Sequence, residues 1–401
     1  MTSDTGLPWE TMPRWSGLDA RAGRLRKRLA SALLADGAVR DPRWLDAFRT
    51  VPRHVFLRRF LLQRPDGLWE AADSSRPDWL ELVYDDQVRV TQLDGDPESW
   101  ERARAHGGVP GEATCSSSMP AIMAIMLEAL RVRDGHDVLE IGTGTGYNAA
   151  LLGHVLGDEH VTTVDVDRSI AALAGENLAA AGHAPTVVTG DGLLGVPGRA
   201  PFDRVLGTCA VTRVPLPWLE QTTPGGLVVT TLNRLIGAGL VRITAGDGPC
   251  GEGRVLREDG RFMPLRAHAR HWTAAALEHA GTAEAVSRRE TDLPVNAVLA
   301  ASHPFEFFAG LVLADVAGCR VERGGARFAH EDGSWVRHTT RDGTSRVEQG
   351  GPRALWDLAE AAHEHWLALG SPRRDRFGVT VGPDGQRFWL DAPTSEHSWP
   401  L

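Results

Sequence analysis

Residues 138–146 read Val-Leu-Glu-Ile-Gly-Thr-Gly-Thr-Gly, a short apolar run feeding a turn with glycine at 142, 144 and 146. Glycine is required where backbone approaches a ligand closely or adopts a positive φ. The spacing is GxGxG. Tyr147 stands where the dinucleotide motif GxGxxG would carry its last glycine. Downstream, Val161-Thr-Thr-Val164 forms a second apolar run that ends in Asp165. A carboxylate at the tip of the second strand of a doubly wound sheet is placed to accept hydrogen bonds from ribose hydroxyls. Strand, glycine turn, helix, strand and acid imply a nucleoside-containing cofactor, and with GxGxG the first choice is S-adenosylmethionine (SAM).

Outward from this motif the chain alternates strand and helix, with strands expected near 137–141, 161–165, 186–189, 203–208 and 226–231. Continuous apolar runs such as Leu227-Val-Val229 suit strands buried on both faces. Alternation of this kind implies a parallel sheet with right-handed crossovers. Residues 233–275 are expected to add antiparallel edge strands, ending around Phe262-Met-Pro-Leu265.

Toward the N-terminus, residues 1–16 read as a loose arm. Leu18, Leu25, Leu29, Leu33 and Leu34 recur at helical spacing. Asp41-Pro42 restarts a helix, with Asp41 as N-cap and Pro42 in the first turn. Residues 61–113 are polar and interrupted by Pro65, Pro77, Pro97 and Pro110, and read as an inserted lid or subdomain rather than a strand-rich core. A helix is expected from Pro120 to about Arg131, with Ile122, Ile125, Met126 and Leu130 on one face.

After about residue 285 the pattern changes. Hairpin turns are expected at Asp332-Gly333 and Asp384-Gly385. An amphipathic helix spans Ala354 to Leu369, with Leu355, Leu358, Ala362 and Trp366 on one side. The expected architecture is therefore α/β: an N-terminal helical segment (1–60), an inserted lid region (61–115), a Rossmann-like SAM-binding sheet (116–275) and a separate C-terminal α+β domain (285–401) with its own core.

Composition narrows the functional classes. The 401 residues are 42% hydrophobic and 24% charged, which suits a globular chain that buries a core. A net charge of −9 argues against a general nucleic-acid binder. Cys115, Cys209, Cys250 and Cys319 are scattered without metal-ligand spacing, so no metal is expected and the cysteines read as reduced thiols of a cytoplasmic protein. No apolar run is long enough to span a membrane, and no signal peptide is evident. The 13 tryptophans read as core rather than as a peptide-binding stack.

The succession of motifs resembles the protein-L-isoaspartate O-methyltransferase family. Val51-Pro-Arg-His-Val-Phe56 is similar to its VPRxxF element, and Tyr84-Asp-Asp86 to its tyrosine–acid pair. Ser116-Ser-Ser-Met-Pro120 aligns with its TISQP segment, and residues 138–147 with VLEIGTGxGY. Gly190-Asp-Gly192, Pro201-Phe-Asp203 and Pro224-Gly-Gly226 match its GDG, PYD and PGG elements. The resemblance covers roughly residues 20–270. It implies a Rossmann-like fold, SAM as cofactor and a peptide or protein acceptor bearing aspartate or isoaspartate. It places Ser118 as the active-site serine. Ser117, Met119, Glu140, Gly142, Gly144, Asp165, Val166, Asp191 and Gly192 are placed at the cofactor.

Each assignment has a plainer competitor. Ser118 suits an N-cap as well as a substrate-orienting hydroxyl. Glu140 organises the turn or reaches the cofactor's amine. Asp165 fits a solvated strand end, and Asp191-Gly192 a surface turn. Arg53 and His54 read as structural.

Three departures from the family pattern stand out: SSSMP for TISQP, the longer stretch between Phe56 and Ser116, and about 120 residues after the catalytic domain that simple repair enzymes lack. Enlarged relatives of this kind resemble methyltransferases that tailor ribosomally made peptides through an aspartimide, which is the expectation adopted here. General isoaspartate repair and a non-catalytic SAM-binding scaffold are the rivals.

Overall fold

The computed structural model describes residues 16–269, 272–321 and 324–401, so the expected N-terminal arm lies outside the described residues. The chain forms two compact units. One runs to Glu128 and takes in Gly144–Glu159 and Ser169–Pro185. The other comprises Ala129–Thr143, His160–Arg168 and Thr186–Leu401.

In the first unit, the helix Ser16–Ala35 buries Ala22, Leu25, Leu29 and Leu33, one stripe at helical spacing. Leu34, expected on that stripe, is exposed, and the Leu18 side chain lies outside the described residues. The helix Pro42–Thr50 starts as its sequence predicts: Asp41 accepts from the Arg43 amide and proline occupies the first turn. Its Phe48, together with Phe56, packs against Tyr147, ring centroids 6.5 and 5.6 Å away.

The stretch read as a polar lid is a four-stranded antiparallel sheet. It comprises β1 (Arg59–Gln63), β2 (Trp69–Asp73), β3 (Arg89–Leu93) and β4 (Ala113–Ser117), in the order β2-β1-β3-β4. It has a small core of Leu61, Val90, Leu93, Trp100 and Ala103. All four prolines of this stretch fall between strands, where a missing N–H costs no ladder bond. Their frequency concealed strands only five residues long.

The second unit is built on β5 (Val138–Ile141), β6 (Val161–Asp165), β7 (Thr186–Thr189), β8 (Phe202–Val211), β9 (Thr222–Asn233), β10 (Ala238–Ala245) and β11 (Gly251–Val255). A second group follows: β12 (Ser287–Thr291), β13 (Ala317–Val321), β14 (Gly325–Ala329), β15 (Trp335–Arg341) and β16 (Thr344–Gly350). The last strands are β17 (Phe377–Gly382), β18 (Gly385–Leu390) and β19 (Ser398–Pro400). Strands β7-β6-β5-β8-β9 are parallel neighbours. This is a Rossmann-like sheet whose order reverses between β5 and β8, and ligands of such sheets bind at the carboxyl ends of the strands there. The five expected strands all form.

The C-terminal region departs from the expected separate domain. The hairpin β17–β18 forms, turning at Pro383-Asp384, one residue ahead of the expected position. It pairs through β17 with β11, so the catalytic sheet runs to ten strands in the order β19-β18-β17-β11-β10-β9-β8-β5-β6-β7. Strands β12 to β16 make a separate five-stranded antiparallel sheet. One core runs without a break from Leu139 and Val205 through Phe307, Phe308 and Trp356 to Phe388. Both β10 and β11 are therefore interior strands, not edges. The helix Leu355–Ala368 buries Leu355, Trp356, Ala359, Ala362 and Trp366. Leu358, expected inward, is exposed. Among the described residues no helix is long and apolar enough to cross a membrane.

Candidate active site

In the second unit, β5 is buried at every position and ends in the glycine turn. The Gly142 amide donates to the Val164 carbonyl at 2.8 Å, which carries the ladder with β6 one residue past the strand. Gly142 has φ +98°, and a Cβ there would lie 2.8 Å from Thr208 Oγ1. Glu140 is fully buried and accepts from Thr163 Oγ1 at 2.7 Å, while Thr163 Oγ1 lies 2.8 Å from Thr143 Oγ1. A hydroxyl has one proton. Since Thr163 gives its proton to Glu140, Thr143 donates to Thr163. Of the two roles open to Glu140, this relay favours organising the turn.

Asp165, partly exposed at the end of β6, accepts from the Asp167 amide at 3.0 Å through Oδ1. Val166 beside it is 48% exposed, an apolar residue held out at a strand tip where a flat base would cover it. After β7, Asp191 is exposed and accepts from the Leu193 amide at 2.9 Å, capping a short turn. Gly192 is buried: a Cβ there would lie 2.7 Å from Ile141 Cγ2, and its carbonyl accepts from Trp218 Nε1 at 2.7 Å. Glu140 and Gly142, Asp165 and Val166, and Asp191 and Gly192 thus stand at the carboxyl ends of three adjacent strands. A carboxylate, an exposed aliphatic side chain and a glycine turn on neighbouring tips fit a nucleoside-bearing cofactor.

Sequence reading stopped before two further residues on this rim, Thr208 and Cys209 of β8. The Thr208 hydroxyl lies 2.9 Å from the Ile141 carbonyl and 2.7 Å from that of Gly142. Desolvation, with the Asp165 and Glu140 carboxylates adding to it, pushes the Cys209 thiol up to about 12. The signal was available: Thr208 and Cys209 follow Val205-Leu-Gly207 in the fourth parallel strand of the series, level with the end of β5. Near the end of β8, the Ala210 amide donates to the Met263 carbonyl and its own carbonyl accepts from the Leu265 amide, while Arg266 pairs with Asp167 at 2.8 Å.

In the first unit, β4 delivers Ser116 and Ser117 directly to the start of the helix Pro120–Leu130. Ser117 is buried, and Ser118 and Met119 are partly exposed. The register between β3 and β4 shifts beside them, between Val90 and Gln92. Such bulges re-aim side chains. The helix's Ala121 amide donates to Asp86 Oδ1 at 2.8 Å. The cap therefore comes from the loop after Tyr84, and the Ser118 hydroxyl makes no hydrogen bond among the described residues.

Arg53, read as structural, is fully buried and donates to four carbonyls: Val83 at 2.7 Å, Asp85 at 3.1 Å, Gln87 at 3.2 Å and Ser118 at 3.1 Å. Desolvation pushes its guanidinium down to about 10. Arg53 thus ties the Tyr84-Asp85-Asp86 loop to the backbone of Ser118. His54 Nδ1 meets the buried Tyr84 hydroxyl at 2.7 Å. Burial holds the Asp85 carboxyl above its ordinary range, partly offset by the Arg89 guanidinium that it binds. Gly144 has φ +53°, a left-handed backbone that favours glycine, and a Cβ there would meet the Ser116 carbonyl only at ordinary contact distance, 3.4 Å. Among the described residues no group of three or more His, Cys, Asp and Glu side chains could hold a metal ion.

The sequence model described as protein-L-isoaspartate(D-aspartate) O-methyltransferase matches residues 105–250. Over 208 residues the chain is 34% identical to the protein-L-isoaspartate O-methyltransferase of Methanosarcina mazei, covering 51% of this chain and 69% of that one. It is 43% identical over 206 residues to that of Ignicoccus hospitalis, covering 51% and 80%. A solved structure of a protein-L-isoaspartate O-methyltransferase superposes with a TM-score of 0.51 at 25% identity, covering 92% of this chain and 100% of that one.

Proposed function

Because the chain belongs to the protein-L-isoaspartate O-methyltransferase family, and is a SAM-dependent protein carboxyl O-methyltransferase, we propose that its acceptor is an aspartate side chain of a ribosomally synthesised peptide. The ester so formed closes to an aspartimide, which opens to isoaspartate. The observation that carries the chemistry is the Ser118 hydroxyl. It has no partner among the described residues and sits on backbone that Arg53 holds, beside a helix start already capped by Asp86.

A carboxylate has a reference pKa near 4, so the acceptor is ionised at neutral pH and the site needs no strong base. Bound SAM supplies an activated methyl group. The chain's residues orient the acceptor and exclude water, and Ser118 donates a hydrogen bond to the acceptor carboxylate. Once the ester exists, the backbone nitrogen of the following residue attacks its carbonyl carbon. The new C–N bond closes a five-membered ring, and methanol leaves with the nitrogen's proton. Proximity favours this closure.

The choice of a dedicated peptide rests on Ser116-Ser-Ser-Met-Pro120 standing in place of TISQP, at the end of a sheet inserted before it. The C-terminal strands give that choice no support, because a solved structure of the family covers 92% of this chain. That coverage favours the second reading, repair of isoaspartate in many proteins.

The test is mass spectrometry of the protein with SAM and one short unstructured peptide in paired L-isoaspartyl and L-aspartyl forms. SAM binding is measured on the same sample. The peptide-tailoring reading expects neither form to be methylated while SAM binds. Efficient methylation of the isoaspartyl form overturns it in favour of repair. With an accepted peptide, Ser118→Ala is expected to lower kcat roughly 100-fold while leaving SAM affinity near wild type. Equal losses in both would remove Ser118 from its orienting role.

A further inference from the structure

We propose that Thr208 is the positioning residue of the cofactor turn, and that its hydroxyl sets the direction in which the turn presents its backbone to SAM. Strand β8 pairs with β5 as far as Ile141 opposite Gly207, and its register with β9 breaks between Leu206 and Ala210. Thr208 lies in that break, at the point where the strand order reverses. Its side chain turns toward β5, where the Ile141 and Gly142 carbonyls converge on Oγ1 at 2.9 and 2.7 Å.

These are the last carbonyl of β5 and the first of the turn. The chain leaves the sheet here, and a carbonyl left without a donor is costly when part-buried; the Ile141 carbonyl also meets Cys209 Sγ at 3.9 Å, so the Gly142 carbonyl is the one on which Thr208 bears most. The single hydroxyl proton serves one carbonyl at a time, and both stay directed at Thr208. A trans peptide is planar, so a Gly142 carbonyl aimed at β8 sends the Thr143 N–H the opposite way. Thr208 thereby fixes the peptide plane at the centre of the turn.

The fit is reciprocal. Only a residue without Cβ places its backbone against this hydroxyl, since a Cβ on Gly142 would lie 2.8 Å from Oγ1. The opposite side of β8 is anchored separately, by Thr230 Oγ1 donating to the Cys209 carbonyl at 3.3 Å. A Cβ on Gly207 would lie 2.5 Å from that same Thr230 oxygen. Two threonines thus hold one strand from its two flanks, and only Thr208 touches the turn.

The proposal rests on SAM being the cofactor and is independent of which peptide is the acceptor. Its test is isothermal titration of the full chain with SAM and with S-adenosylhomocysteine, alongside melting of the cofactor-free protein. Thr208→Val keeps the shape and removes the donor. It is expected to weaken SAM binding about tenfold, with Thr208→Ser returning it to within about threefold of wild type. Thr230→Val is expected to lower the melting temperature and leave SAM affinity unchanged. Should Thr208→Val fail to fold, Thr208→Ala carries the same expectation. Wild-type SAM affinity in the Val or Ala variant, or no recovery with Ser, overturns the proposal. So does an equal loss of affinity in Thr230→Val, which would reduce Thr208 to a general support of the strand.

Discussion

Arg53 shows how far a single side chain can be read before its partners are known. Its place in Val51-Pro-Arg-His-Val-Phe56 suggested structure, and it is structural, but its four acceptors lie between 30 and 65 residues downstream. No local pattern announces such a clamp. A lysine cannot span the same acceptors, because its ammonium is a point and the guanidinium a planar fork. Arg53→Lys is therefore expected to lower unfolding stability by about 3 kcal/mol, measured by urea denaturation, through carbonyls left unpaired. Cys209 gives a pH dependence of known sign. Its folded pKa is raised to about 12, above the roughly 8.5 of an unfolded thiol. The stability tied to the neutral thiol is fully present below the unfolded value and is lost as pH rises toward the folded one. Urea midpoints of wild type and Cys209→Ala are expected to run parallel from pH 6 to 8, and the wild type is expected to fall faster above about pH 9.

At the level of elements, legibility followed the regular alternation of strand and helix and not strand length, since the recognised β5 and β7 have four residues and the missed β1 to β4 have five. Strand β5, the first four residues of β6, Val205 and Leu206 of β8 and residues 228–232 of β9 are buried at every position, and the sequence marks them clearly. Strands β1 to β4 carry only a few apolar residues each, and prolines separate them, so their sheet was missed. The same blindness hid the cap of the helix Pro120–Leu130. Ser118 was read as a cap, but the helix starts at Pro120 and Met119 holds the cap position, while the side chain that caps in space is Asp86, whose place opposite Ala121 is set by the loop after Tyr84. Asp86→Ala is expected to cost about 1 kcal/mol of stability. It is also expected to reduce turnover, because the helix start adjoins Ser118. Thermal unfolding and single-turnover rates check the two parts separately.

At the scale of the molecule, the turn chemistry of residues 377–390 predicted a hairpin correctly and could not name its neighbour. Hairpin signals are local, and pairing with β11 joins segments more than a hundred residues apart. A boundary near residue 285 consequently does not separate two cores. Deleting residues 377–401 tests this. A detachable domain would leave a soluble SAM-binding chain, whereas removal of three sheet strands is expected to yield aggregates by size-exclusion chromatography. The order of these strands also has a consequence in time. Strand β11 occupies the middle of the sheet, yet the strand that covers its open side is made only when translation has nearly reached residue 382. Throughout synthesis of residues 256–376, a nascent chain that already carries every cofactor-binding motif keeps that edge unpaired. Until residues 377–382 emerge, that edge is open to pairing with another chain, so the growing polypeptide is most exposed to aggregation while residues 256–376 are made.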